Sequence, residues 1–213
     1  MTLIKICGLK TPEAIDAAVN AGAHFLGFVF FAKSPRNVTP EEAAALIGRV
    51  PSHVKTVGLF VDPSDEEISR VLERARLDIL QLHGSETPQR IAEIKSRFSL
   101  PVIKAVKISA PEDLIMLGPA QAVADWILFD AKAHEKSDLP GGNGIVFDWQ
   151  LLKGLKVTKP WMLSGGLHAD NIKVALDALT PDAVDVSSGV EDLPGMKNPV
   201  KIREFIEIVK SHP

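Results

Sequence analysis

The apolar positions of this chain fall into short runs rich in Val, Ile, Leu and Phe. They end near Cys7, Phe30, Phe60, Leu82, Val106, Asp130, Ser164 and Ser187. Seven intervals of roughly 22 to 34 residues separate these ends, the length of a strand–helix unit. Helix starts lie between the runs. Thr39-Pro40-Glu41-Glu42 combines an N-cap, a proline at the first helical position and a glutamate three residues after the cap. Ser64-Asp65-Glu66-Glu67 repeats the capping box, and Thr11-Pro12-Glu13 and Thr87-Pro88 open helices in the same way. Ile68, Val71, Leu72 and Ala75 have helical apolar spacing, as do Ile202, Phe205, Ile206 and Val209.

Eight strands alternating with helices leave an open doubly wound sheet or a closed barrel. A dinucleotide-binding fingerprint is missing after the first strand, where only Gly8 appears. Eight units in 213 residues suit a compact barrel. The expectation is an α/β fold, a single (β/α)8 TIM barrel over residues 1–213, with its active site at the C-terminal face of the strands.

Composition narrows the class. A hydrophobic fraction of 46% with 24% charged residues is that of a soluble globular protein. A formal net charge of −3 offers no basic footprint for nucleic acid. No apolar run is long enough to cross a bilayer, and the N-terminus lacks the pattern of a signal peptide. One cysteine and six scattered histidines predict neither a disulfide framework nor a metal site, and the cytoplasm is the expected compartment.

In a barrel, chemistry is expected at strand ends and in the loops that follow. Two Gly/Ser turns end the last two runs, Ser164-Gly165-Gly166 and Ser187-Ser188-Gly189. Glycine lets backbone N–H groups approach an anion, and a pair of turns after strands seven and eight is how barrels hold phosphate. Cys7 is either a small buried side chain or, as thiolate, a nucleophile or base. Asp130 is either a general acid or a charge partner of Lys132. Placed on strands one and six, the two can face each other across the mouth, as proton shuffling on a sugar requires. Neutral-pH chemistry would need the thiol brought down from about 8.5 and the carboxyl brought up from about 3.9. Arg36 either grips a carboxylate or is a solvated loop residue. His83 either orients substrate or satisfies local hydrogen bonds. Residues 139–144, Leu-Pro-Gly-Gly-Asn-Gly, have the flexibility of a lid.

The motifs resemble, in order and over nearly the whole chain, the phosphoribosylanthranilate isomerase family of tryptophan biosynthesis. They are Lys5-Ile6-Cys7-Gly8-Leu9, Gly27-Phe28-Val29-Phe30 with Lys33-Ser34-Pro35-Arg36, Val57-Gly58-Leu59-Phe60-Val61 and Gln81-Leu82-His83-Gly84. Next come Phe129-Asp130, Gly141-Gly142-Asn143-Gly144, Phe147-Asp148-Trp149 and Ser164-Gly165-Gly166-Leu167, and last Asp185-Val186-Ser187-Ser188-Gly189-Val190-Glu191.

The resemblance implies a cofactor-independent Amadori rearrangement of N-(5-phosphoribosyl)anthranilate to the 1-deoxyribulose 5-phosphate. It implies Asp130 as the acid that opens the furanose ring and Cys7 as the base at C2. Arg36 would face the anthranilate carboxylate, Gly165, Gly166, Ser187, Ser188 and Gly189 would hold the phosphate, and His83 and Asp185 would complete the substrate site. The expected partner is this small phosphosugar, with neither nucleic acid nor membrane, in a monomer or homodimer. Asn143, Ile145 and the Lys197-Asn198 pair depart from the commonest family pattern. Rival readings are a metal-dependent epimerase, a histidine-pathway isomerase and a non-catalytic phosphosugar binder. Scattered histidines weigh against the first, Cys7 in place of an aspartate against the second, and the presence of both Cys7 and Asp130 against the third.

Overall fold

The computed structural model describes residues 1–131 and 148–213. Its strands are β1 (Leu3–Cys7), β2 (Phe25–Phe30), β3 (Lys55–Phe60), β4 (Ile79–Leu82), β5 (Val102–Ile108), β6 (Trp126–Ala131), β7 (Trp161–Leu163) and β8 (Ala183–Val186). They close in sequence order into a barrel, every neighbouring pair parallel, with β8 returning to β1 through Lys5 opposite Asp185. The barrel expectation holds. Strand ends fall within two residues of the predicted positions, β5 running on to Ile108.

The helices start where the caps predict. Thr11, Thr39, Ser64 and Thr87 each accept a backbone N–H in the first turn of α1 (Pro12–Ala21), α2 (Pro40–Ile47), α3 (Asp65–Leu72) and α4 (Pro88–Phe98). The reciprocal glutamate bond of a capping box forms at Glu42 and Glu67. Later come α5 (Leu117–Val123), α6 (Ile172–Ala178) and α7 (Pro199–Ser211). Between β8 and α7 the chain inserts a hairpin that the apolar pattern does not announce, β9 (Glu191–Leu193) and β10 (Met196–Lys197).

Two apolar layers result from the alternation of strand side chains. The larger lies between sheet and helices, where Ile68, Val71, Ile202, Phe205, Ile206 and Val209 pack at the predicted helical spacing. The smaller fills the barrel, and every strand contributes to it: Leu3, Phe25, Val57, Ile79, Ile103, Leu128, Met162 and Ala183. Two residues further along β1, β4, β6, β7 and β8 the inward positions become polar, as Lys5, Gln81, Asp130, Ser164 and Asp185, and these line the mouth.

Candidate active site

Continuing the inward alternation from Leu3, Ile79, Leu128 and Ala183 reaches Lys5 and Cys7 on β1, Gln81 and His83 at β4, Asp130 on β6 and Asp185 on β8. All six are buried. Cys7 and Asp130 therefore open toward one interior from strands separated by β7 and β8. Asp130 accepts the Ala131 N–H at 2.9 Å through one oxygen and meets His83 Nε2 at 2.9 Å through the other. His83 Nδ1 lies 3.0 Å from the Gln81 side-chain nitrogen, so His83 is oriented from both ring nitrogens. Of the alternatives for His83, local hydrogen bonding is met, and the bond it makes is to the candidate acid. Lys132, the alternative partner of Asp130, lies outside the described residues, as does the predicted lid at 139–144 with Asn143 and Ile145.

Cys7 is seated tightly. A Cβ on Gly27 would come within 2.9 Å of its sulfur. Here one expectation is corrected. Burial, with the Asp185 charge, pushes the thiol up, and this outweighs the opposing charges of Lys5 and Lys197, so the surroundings do not bring the thiol down. Lys5 in turn pairs with Asp185 at 2.8 Å, and the Ser164 hydroxyl reaches the other Asp185 oxygen at 3.4 Å.

The two Gly/Ser turns converge. Gly165 and Gly166 both take left-handed backbone conformations, with φ of 86° and 64°. A Cβ on Gly165 would lie 2.6 Å from the Ala131 backbone nitrogen, which puts the first turn against the end of β6, next to Asp130. Gly189 lies so close to the Leu167 carbonyl that a Cβ there would collide with it. The second turn is thus pressed onto the residues that follow the first. Ser187 ties it to β1 by donating its hydroxyl to the Cys7 carbonyl at 3.1 Å.

Arg36 is not a solvated loop residue. It is buried, and its guanidinium forms two 2.8 Å bonds to Glu191, Nε to Oε1 and Nη2 to Oε2. Lys197, on β10, bonds the same carboxylate at 2.6 Å and also donates to the Ser187 carbonyl and hydroxyl, at 2.9 and 3.2 Å. Burial pulls the Lys197 ammonium down to about 8 despite Glu191. Burial likewise pushes the Glu191 carboxyl up, but Arg36 and Lys197 together hold it below its usual range. One network therefore joins the candidate carboxylate clamp to the candidate phosphate turn.

Sequence reasoning missed Lys5, Gln81, Glu191 and Lys197 as site residues. Lys5 and Gln81 carry a signal, being polar residues inside apolar strands. Asn198, which departs from the family pattern, caps α7. Its side chain accepts from the Val200 and Lys201 backbone N–H groups and donates to Asp192. Among the described residues no cluster of His, Cys, Asp and Glu is arranged to hold a metal. A cavity of about 360 Å³ between the loops after β4 and β5, lined by Glu86, Ile91, Lys104 and Met116, includes none of Lys5, Cys7, Gln81, His83, Asp130 and Asp185.

With this geometry in view, the comparisons with known proteins agree on one family. The family model for N-(5'-phosphoribosyl)anthranilate isomerase matches residues 4–208. The chain belongs to this family. The isomerase of Paracoccus denitrificans is 52% identical over 203 residues, covering 95% of this chain and 94% of that one. Among solved structures, the phosphoribosyl anthranilate isomerase of Thermotoga maritima superposes with a TM-score of 0.89 at 37% identity, over 99% of both chains. Another, of the isomerase in complex with reduced 1-(o-carboxyphenylamino)-1-deoxyribulose 5-phosphate, gives 0.86 at 36% identity, again over 99% of both.

Proposed function

We propose that this family member isomerises N-(5-phosphoribosyl)anthranilate, with Asp130 as general acid and Cys7 as general base. The observation that carries the assignment is the placing of both side chains on the inner face at the C-terminal rim, with the convergent glycine turns beside them.

Asp130 gives a proton to the furanose ring oxygen, the C1–O bond breaks, and the nitrogen lone pair forms a Schiff base. The Cys7 thiolate then takes the C2 proton, and the electron pair flows into the imine to give an enolamine. Ketonisation moves the hydroxyl proton to C1. Asp130 has then lost one proton and Cys7 has gained one, so the cycle closes when a proton passes back through solvent. The imine serves as the electron sink, so the chemistry asks nothing of a cofactor. His83, bonded to Asp130 and Gln81, fixes the direction of the acid.

Substrate binding is divided between two ends. The turns at Gly165–Gly166 and Ser187–Gly189 receive the phosphate, and Arg36, held flat by Glu191, faces the anthranilate carboxylate. Asp185 sits below the phosphate turn and bears on substrate through Ser164 and Lys5. The partner is this small phosphosugar. No helix among the described residues is long and apolar enough to cross a membrane.

Freshly generated phosphoribosylanthranilate loses its fluorescence on isomerisation. Purified protein is expected to accelerate that loss many-fold over buffer. Binding of phosphosugar without turnover would overturn the reading in favour of a non-catalytic binder, and turnover of only the histidine-pathway substrate would favour the sister isomerase.

A further inference from the structure

Cys7 is a base only as thiolate, and burial works against that form. On the same inner face of β1, two residues below, lies Lys5, about 6.6 Å along the strand. Lys5 is completely buried, and its ammonium pairs with Asp185, its register partner on β8, at 2.8 Å. Other strands turn Phe25, Val57, Ile103, Leu128 and Met162 into this interior. An ion pair is a poor way to stabilise such a place, because well-packed apolar residues of similar volume usually do as well or better. Charge kept there at that cost calls for a use, and the group above it is the one thiol of the chain.

We propose that Lys5 is a positioning residue for the base: its ammonium, anchored inside the barrel by Asp185, stabilises the Cys7 thiolate that receives the C2 proton. The proposal rests on the reading of Cys7 as base. Asp185 has a defined part in it. Burial alone pulls the Lys5 ammonium down, and the Asp185 carboxylate and the Cys7 sulfur together more than reverse this, Asp185 contributing the larger share, so Lys5 stays charged. The charged groups facing Cys7 are Lys5 from β1, Asp185 from β8 and Lys197 from β10. Glu191 and Arg36 stand behind Lys197. Lys5 acts most strongly against the burial, and Asp185 and Lys197 pull in opposite directions. In the step itself the C2–H electron pair becomes the C1–C2 π bond, the imine pair moves onto nitrogen and the proton goes to sulfur. Lys5 keeps its own protons throughout.

The chain has one cysteine and no tyrosine, so the ultraviolet absorbance of the thiolate reports Cys7 free of phenolate. The test titrates that absorbance in the wild type, in Lys5→Gln, and in the double variant Lys5→Met/Asp185→Asn. Glutamine keeps a donor for Asp185, and the double variant leaves neither charge buried alone. The midpoint is expected to rise by at least about one pH unit in Lys5→Gln, with a smaller rise in the double variant. At neutral pH, kcat of Lys5→Gln should fall about tenfold for each unit of rise, with KM within a few-fold, and recover as pH increases. An unchanged or lowered midpoint in either variant overturns the proposal, and so does a kcat loss that stays flat with pH. Failure of the base assignment itself shows separately, as turnover that survives in Cys7→Ser.

Discussion

Arg36 and Glu191 stand 155 positions apart in the chain and are joined by two parallel 2.8 Å bonds, guanidinium edge to carboxylate edge. The pair sets the plane of the arginine before any substrate arrives. A point charge cannot copy that geometry, so lysine is a poor substitute. Arg36→Ala is expected to raise KM about ten- to a hundredfold, the loss of a charge-assisted bond of roughly 1.5 to 3 kcal/mol. Arg36→Lys should recover little of it. Unchanged KM, together with unchanged Kd for a product analogue, would remove Arg36 from the substrate site.

The convergence of the two Gly/Ser turns rests on an absent side chain. Gly189→Ala puts a methyl group into the Leu167 carbonyl, and backbone, unlike a side-chain tip, does not move aside cheaply. We expect a stability loss of about 1 to 3 kcal/mol and a rise in the Kd of inorganic phosphate. Calorimetry on the folded variant checks both. Wild-type phosphate affinity in Gly189→Ala would contradict the assignment of this turn.

Lys197 links that turn to Glu191, and its ammonium releases its proton as pH rises through about 8. Above that value the positive charge beside Ser187 is lost. Product-analogue affinity should therefore weaken past about pH 8 in the wild type. In Lys197→Met it should be weaker already at neutral pH and flat across the same range. A wild-type profile without this inflection would show that the lysine does not serve the phosphate end.

Acid should act on two buried carboxylates. Burial pushes Glu86 up, but Lys104 and backbone N–H groups outweigh it and hold the group below the usual range, as Arg36 and Lys197 do for Glu191. A carboxyl lowered on folding contributes stability in full above its unfolded value of about 4.3 and loses it as pH falls through the folded value. Urea midpoints should drop as pH falls below about 4, and the drop should be shallower in Glu191→Gln and Glu86→Gln. Equal slopes in variants and wild type would contradict this.

The barrel was legible because local and global signals agree. Each capping residue precedes a helix whose apolar face matches the sheet, and each apolar run is a strand buried on both sides. Cys7, Asp130 and the two glycine turns were legible for a related reason, since a barrel brings strand ends together. The β9–β10 hairpin was not, being too short and polar to leave a periodic trace, and with it went Glu191 and Lys197. For Arg36 a solvated loop residue stayed open beside a carboxylate clamp, because the partner that buries it lies at the far end of the chain. The thiol was expected to be lowered, and the enclosure that raises it comes from β2 and β8, which no reading of β1 alone reveals.

In the proposed reaction Asp130 delivers a proton and Cys7 takes one in a shared cavity. Its most direct test is kcat on freshly generated phosphoribosylanthranilate for Asp130→Asn and Cys7→Ser, beside the wild type, with folding verified. An amide has no proton to deliver to the ring oxygen, and a serine hydroxyl is a far poorer base than a thiolate. Each variant is predicted to lose at least about a hundredfold in kcat, the lower range of general acid–base contributions, while binding a product analogue within a few-fold of the wild type. Near-wild-type kcat in either variant would rule out this acid–base pair.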